Sequence, residues 1–252
     1  MRNCLALLAF SWLAGCAPAA QAGRLADVEI VSRASGQRLE TWRHGGRLYV
    51  AGTPGERYAV RLINRSDGRL LTVLSVDGVN AVTGETAAMG QSGYVLGAGQ
   101  SAEIRGWRKS LDEVAAFYFT ALPDTYAART ARPENVGVIG VAVFREQVAL
   151  RQPLAAEAPS MPAPAADAAG ASTAEARAKR EQERLGTGHG ERLNDRTAYT
   201  EFRRAGSAPV QVLSIYYDSR ENLIARGIIP RVPARTPPQP FPGGFVPDPD
   251  NS

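Results

Sequence analysis

The chain has 252 residues, 44% of them hydrophobic and 21% charged, with a formal net charge of +4. That length allows one or two domains with an ordinary buried core, and the mild charge on scattered arginines excludes a nucleic-acid binder, which needs a basic stripe or a basic aromatic face. The only cysteines are Cys4 and Cys16, so the rest of the chain has no disulfide and no thiolate metal centre and must hold its fold by packing alone.

The N-terminus reads as an export signal. Met1 and Arg2 are followed by an apolar run from Cys4 to Leu13. This is the length of a signal h-region and far short of the roughly 20 residues that span a bilayer. Leu13-Ala14-Gly15-Cys16 resembles the bacterial lipobox. That resemblance implies cleavage before Cys16 and lipidation of Cys16, which would tie the protein to a membrane. Each buried acyl carbon contributes about 0.8 kcal/mol to such an anchor. Ala17, where inner-membrane lipoproteins often carry Asp, leans the expectation toward the outer membrane. Ala20-Gln21-Ala22 fits the small-x-small rule and offers the other cut, after Ala22, with a soluble periplasmic product. Both readings export the chain.

Residues 24–150 read as β: short runs of Val, Ile, Leu, Tyr and Phe alternate with turns of Gly, Asn, Asp and Ser. The expected strands are Leu25–Val31, Arg38–Trp42, Arg47–Ala51, Arg57–Asn64, Leu70–Val76, Val79–Thr83, Gly93–Leu96, Ala102–Trp107, Ala115–Ala121 and Val136–Phe144. Gly45-Gly46 and Asp77-Gly78 are hairpin turn signals. The continuous apolar run Leu70–Val76 predicts a central strand. Ser110, with Glu113 three residues on, marks a turn or short helix over Lys109–Ala116. Residues 153–175 are rich in Ala and Pro and predict a disordered linker. Thr173–Leu185 predicts an exposed helix that is marginal on its own.

The block 186–230 is too small to fold alone. Two strands, Thr197–Arg203 and Val210–Tyr217, and a short helix capped near Ser219 and stopped at Gly227 predict a segment docked on the β-domain. The Pro-rich residues 231–252 predict an extended tail. The fold class is therefore mainly β, an antiparallel sandwich, Ig-like or similar, with a short C-terminal α+β segment. The expected divisions are the signal (1–22, or 1–15 for a lipoprotein), the β-domain 24–150, the linker 151–185, the segment 186–230 and the tail 231–252.

No motif assembles a catalytic set. His44-Gly45-Gly46 lacks the Gly-x-Ser-x-Gly elbow of an esterase, since Gly90-Gln91-Ser92-Gly93 has the wrong spacing. Gly97-Ala98-Gly99-Gln100-Ser101-Ala102 matches a dinucleotide pattern on paper, but a strand rather than a helix is expected after it. Gly186-Thr187-Gly188-His189-Gly190-Glu191 holds a candidate base, His189. Its three glycines favour a mobile loop or tight turn, and with only His44 as a second imidazole it does not read as a metal site. Asp77, Asn80 and Glu85 are oxygen donors without EF-hand spacing, and turn chemistry explains Asp77. Trp107-Arg108-Lys109 joins a large aromatic to two cations and is the candidate ligand-binding platform. The prolines of the tail suit a partner's aromatic groove, or an extended strap on the chain's own domain, and Phe241 and Phe245 are unusual in a purely solvating tail.

Val73-Leu74-Ser75-Val76-Asp77-Gly78-Val79-Asn80, Gly93-Tyr94-Val95-Leu96, Gly106-Trp107-Arg108-Lys109-Ser110 and Val136–Phe144 resemble a family of uncharacterised exported proteobacterial proteins. The resemblance covers about residues 57–147, with a weaker echo at 186–230. It implies an envelope location and carries no activity and no catalytic residues. The expectation is a non-enzymatic cell-envelope protein, without a cofactor or metal, that works by binding or as structure. Its expected partners are a membrane through Cys16 and a protein through the tail. The alternative is a periplasmic hydrolase built on His189 and nearby carboxylates.

Overall fold

The structure, a computed structural model, describes residues 24–147 and 184–231. Cys16, both candidate cut sites, the Ala/Pro-rich stretch 153–175 and the tail phenylalanines lie outside the described residues. Eleven strands come from the first block: β1 (Ala26–Ser32), β2 (Thr41–His44), β3 (Arg47–Gly52), β4 (Tyr58–Asn64), β5 (Leu70–Val76), β6 (Val79–Asn80), β7 (Tyr94–Leu96), β8 (Ser101–Ile104), β9 (Gly106–Arg108), β10 (Glu113–Ala121) and β11 (Val138–Arg145). A short helix, α1 (Tyr126–Arg129), interrupts the last two. β12 (Leu185–Asn194), β13 (Gln211–Ser219) and α2 (Arg220–Ala225) follow.

The fold is mainly β, in antiparallel sheets. β1, β4 and β8 form one three-stranded sheet, and β12, β10 and β9 another. The largest sheet runs β2-β3-β13-β11-β5-β6, with β7 also on β5. β3 and β13 pair in parallel, a departure from the all-antiparallel expectation.

Alternation sets the faces. On β4, Tyr58, Val60 and Leu62 are buried, while Arg61 points out and pairs with Glu29 and Glu103. All three sheets feed one apolar core, which includes Ile30 and Leu62, Leu74 and Ile215, and Ala115 and Phe117. Tyr58 stacks on Phe119 with ring centroids 4.4 Å apart. Each fully buried large side chain of this kind stabilises the fold by roughly 1.5–3 kcal/mol. The outer face of the largest sheet has two smaller covers. Leu223, Ile228 and Ile229 pack on Tyr49, and Phe202 packs against the cluster of Leu71, Val73, Ala142 and Phe144.

Several expected elements are where the pattern put them. The β2–β3 hairpin turns at Gly45 and Gly46, with φ of 54° and 75°. β5 is central, bonded to β11, β6 and β7. Ser219 caps α2 by accepting from the Asn222 amide at 3.2 Å, and Gly227 ends the turn at φ 70°.

Three elements differ, and a fourth takes the first of its two expected forms. The glycine string 186–191 lies within strand β12, not in a loop. A Cβ on Gly186 would sit 2.3 Å from Thr125 Cγ2, and one on Gly188 would sit 2.2 Å from the Tyr118 ring. The glycines therefore serve close packing of β12 on its neighbours. Thr197–Arg203 forms no strand; it is an irregular strap held across the face of the largest sheet. The expected strand 102–107 breaks at Arg105 into β8 and β9, which belong to different sheets. Lys109–Asp112 is a turn whose Ser110 hydroxyl accepts from the Glu113 amide at 3.1 Å, and the chain enters β10 without a helix. Residues 185–219 therefore supply strands inside two sheets rather than a segment resting on them.

Candidate functional site

Arg108 ends β9, where it pairs with Val114 of β10, and its amide donates to the Ala81 carbonyl at 2.8 Å. Strand alternation then sends neighbouring side chains to opposite sides. The Trp107 indole goes inward, is only 2% exposed, and meets Phe117 edge-on at 5.0 Å and Tyr126 at 4.9 Å. It is core, not a ligand platform. Arg108 goes the other way, to the wall of an open cleft of about 570 Å³ that Lys109 also lines.

Three chain segments wall this cleft: the turn 90–93 leading into β7, the turn 108–111, and the strap 197–204. Asp195 fixes one end of the strap. Its Oδ1 accepts from Nη2 of Arg108 at 2.8 Å, its carbonyl accepts from Nη1, and its Oδ2 accepts from Nε of Arg105 at 2.8 Å. One carboxylate between two guanidinium groups leaves an excess of positive charge. The other end of the strap is held at Arg203, whose carbonyl accepts from the Gln147 amide at 2.7 Å, and at Arg69, whose Nη2 donates to the Thr200 hydroxyl and the Glu201 carbonyl.

Arg204 stands on the same wall, 4.3 Å from the Phe144 ring centroid, and donates to the Gln91 carbonyl. Among the described residues neither Lys109 nor Arg204 is ion-paired. Among the described residues no carboxylate and no histidine lines the cleft. Tyr94 Oη and Arg108 Nε, on two lining residues, are both buried, and the Tyr94 hydroxyl lies against the Arg108 guanidinium. Burial pushes the Tyr94 hydroxyl above its ordinary value, with the Arg108 charge offsetting part of the rise. Sequence reasoning found Arg108 and Lys109 and missed Tyr94, Tyr199 and Arg204. Tyr94 sat in an expected strand and Tyr199 in a misread one; Arg204 carried no signal.

His189 lies elsewhere. It is half-buried on β12, with its ring 5.3 Å from Tyr126. Burial lowers its pKa, and Lys109, Arg129 and Arg192 lower it further. Its titrating neighbours are cations, and Glu191 is taken by Arg57 at 2.6 Å. His44 is exposed at the β2–β3 turn. Gly97–Gln100 forms the turn from β7 to β8, with a strand after it. Asn80 braces the loop beyond β6: its Oδ1 accepts from the Val82 and Thr83 amides, and its Nδ2 donates to Gln91 and Ser92.

Asp77 belongs to a closed network rather than a cation site. It sits in the β5–β6 turn at φ 52°, fully buried. Its Oδ1 accepts from the Tyr217 hydroxyl at 2.5 Å and the Gly137 amide at 2.9 Å, and its Oδ2 accepts from the Thr187 amide at 2.7 Å. The Tyr217 proton is committed to Asp77. Thr187 therefore donates to Tyr217, and Tyr58 donates to Thr187, each at 2.6 Å. Burial raises the Asp77 pKa to about 6, against the pull of its donors. The side chains of Asp77, Tyr217, Thr187 and Tyr58 are all buried, so the network orders the core.

No protein family, curated protein or solved structure matches the chain.

Proposed function

We propose that the protein is a non-enzymatic cell-envelope protein whose sheets stack as a β-sandwich and which holds a ligand in the cleft beside Arg108 and Lys109. The observation that carries this reading is the cleft lining: Lys109 and Arg204 are cations without a carboxylate partner, Arg108 is shared with Asp195, and among the described residues neither a carboxylate nor a histidine lines the cleft. Acid–base or nucleophilic catalysis needs a proton acceptor within hydrogen-bond reach of the reacting atom. The lining hydroxyls, such as Ser92 and Ser110, have none beside them in the wall. A hydrolase built on His189 is disfavoured because that imidazole faces Tyr126 and three cations.

The export signal supports an envelope location, with Cys16 as the anchor. The Pro-rich tail gives the protein a second contact, for a partner's aromatic groove.

Site-specific photocrosslinking in the native host tests the cleft. A crosslinking side chain placed at Lys109 is expected to label envelope material, and one placed at exposed Arg43 on β2 is not. His189→Ala should leave the Lys109 yield unchanged. Equal labelling from both positions, or loss of labelling with His189→Ala, would overturn the reading.

A further inference from the structure

An aromatic ring left in water on an anchored stretch of backbone is apolar surface without a partner. Tyr199 is such a ring: it is 90% exposed, while the strap that carries it is tied down on both sides. Before it, the Thr197 amide donates to the Leu111 carbonyl at 2.8 Å. After it, Arg69 grips Thr200 and Glu201, and the Ala205 amide donates to the Arg145 carbonyl at 2.9 Å. The ring stands on the cleft's wall, with the hydroxyl side chains Ser92 and Thr197 and the cation Lys109 on the same lining.

This combination selects among ligand chemistries. The cleft is open, which does not suit a compact apolar ligand, and its volume falls in the range of roughly 300–1,000 Å³ usual for small-ligand sites. A bare inorganic anion would use the cations and leave the exposed ring idle. A sugar ring uses all three: its C–H face packs on an aromatic face, its hydroxyls bond to side-chain hydroxyls, and an acidic substituent meets the cations.

Building on the cleft reading above, we infer that the ligand is an anionic saccharide, with a sugar ring packed on Tyr199 and its acidic group held by Lys109, Arg108 and Arg204.

The test is calorimetric titration of the purified full chain with a tetrasaccharide containing uronic acids, with a neutral tetrasaccharide of the same length, and with inorganic phosphate. The acidic tetrasaccharide should bind about tenfold or more tighter than either of the others and weaken with added salt. Tyr199→Ala and Lys109→Ser should each lower its affinity by about tenfold. Both side chains are exposed, so neither change threatens the fold. Phosphate binding as tight as the saccharide, no saccharide binding, or affinity unchanged in both variants would overturn the inference. Site-dependent crosslinking from position 109 with no saccharide binding would overturn the ligand class and leave the cleft standing.

Discussion

The Tyr217 hydroxyl donates to Oδ1 of Asp77 at 2.5 Å, joining β13 to the β5–β6 turn across 140 positions of the chain. Because burial raises the Asp77 pKa from 3.8 to about 6, the folded protein keeps this proton to higher pH than the unfolded chain does. The stabilisation from Asp77 is complete below pH 3.8 and is lost as the pH rises through about 6. The shift corresponds to about 3 kcal/mol. Asp77→Asn should flatten the stability profile across that window by about this amount, since Asn also tolerates the left-handed backbone at this position. Urea midpoints from about pH 4 to pH 7 for both proteins check this. Parallel profiles would show that Asp77 does not titrate there.

Tyr217→Phe keeps the ring in the core and removes the phenolic oxygen. Asp77 then loses a donor and Thr187 loses an acceptor. The expected cost is about 1–3 kcal/mol. The pH at which the Asp77 contribution is lost should also move up, because the missing donor had favoured the carboxylate. Chemical denaturation at several pH values reads both effects, and a midpoint moved down in pH would argue against the network as described.

Two glycine positions should respond differently to a methyl group. At Gly106 the new Cβ would meet the Ala115 carbonyl oxygen at 2.0 Å, which is backbone and cannot swing away. At Gly188 it would meet the outer end of the Tyr118 ring, a side chain that is free to turn out. Gly106→Ala should cost about 3 kcal/mol or more, and Gly188→Ala distinctly less. Thermal melts of the two variants side by side would reverse the assignment if Gly188→Ala proved the worse.

Much of the strand pattern was legible because local chemistry decides it. The apolar run Leu70–Val76 marked a central strand, and Gly45-Gly46 marked a hairpin by the only residue type at ease with two consecutive positive φ values. The glycines of β12 were misread because glycine signals a turn and a close approach alike. The choice between them rests on Tyr118, Thr125 and Val136, which are distant in sequence. Asp77 was rightly placed in a turn, while its partner Tyr217 is a long-range fact that no local pattern carries. Arg108 and Lys109 stood out by composition. Trp107 did not belong with them because alternation on β9 sends it to the core, and Tyr199 drew no notice because Thr197–Arg203 reads as a strand, in which a tyrosine is ordinary.

Arg108→Lys preserves the charge on the cleft and removes the forked contact with Asp195. The strap should loosen at its N-terminal end. Amide hydrogen exchange over residues 195–200 is expected to speed up while β10 and β12 stay protected. Unchanged exchange there would mean that Arg108 does not hold the strap.

The central claim is that the cleft between the turns 90–93 and 108–111 and the strap 197–204 is where this protein meets its ligand. Amide chemical-shift mapping of the labelled protein with the acidic tetrasaccharide tests it most directly. The account predicts shifts clustered at residues 92–95, 108–111 and 197–204, and little change on the Glu29–Arg61–Glu103 face or around His189. Shifts centred on that charged face or on His189, or no shifts at all, would contradict it.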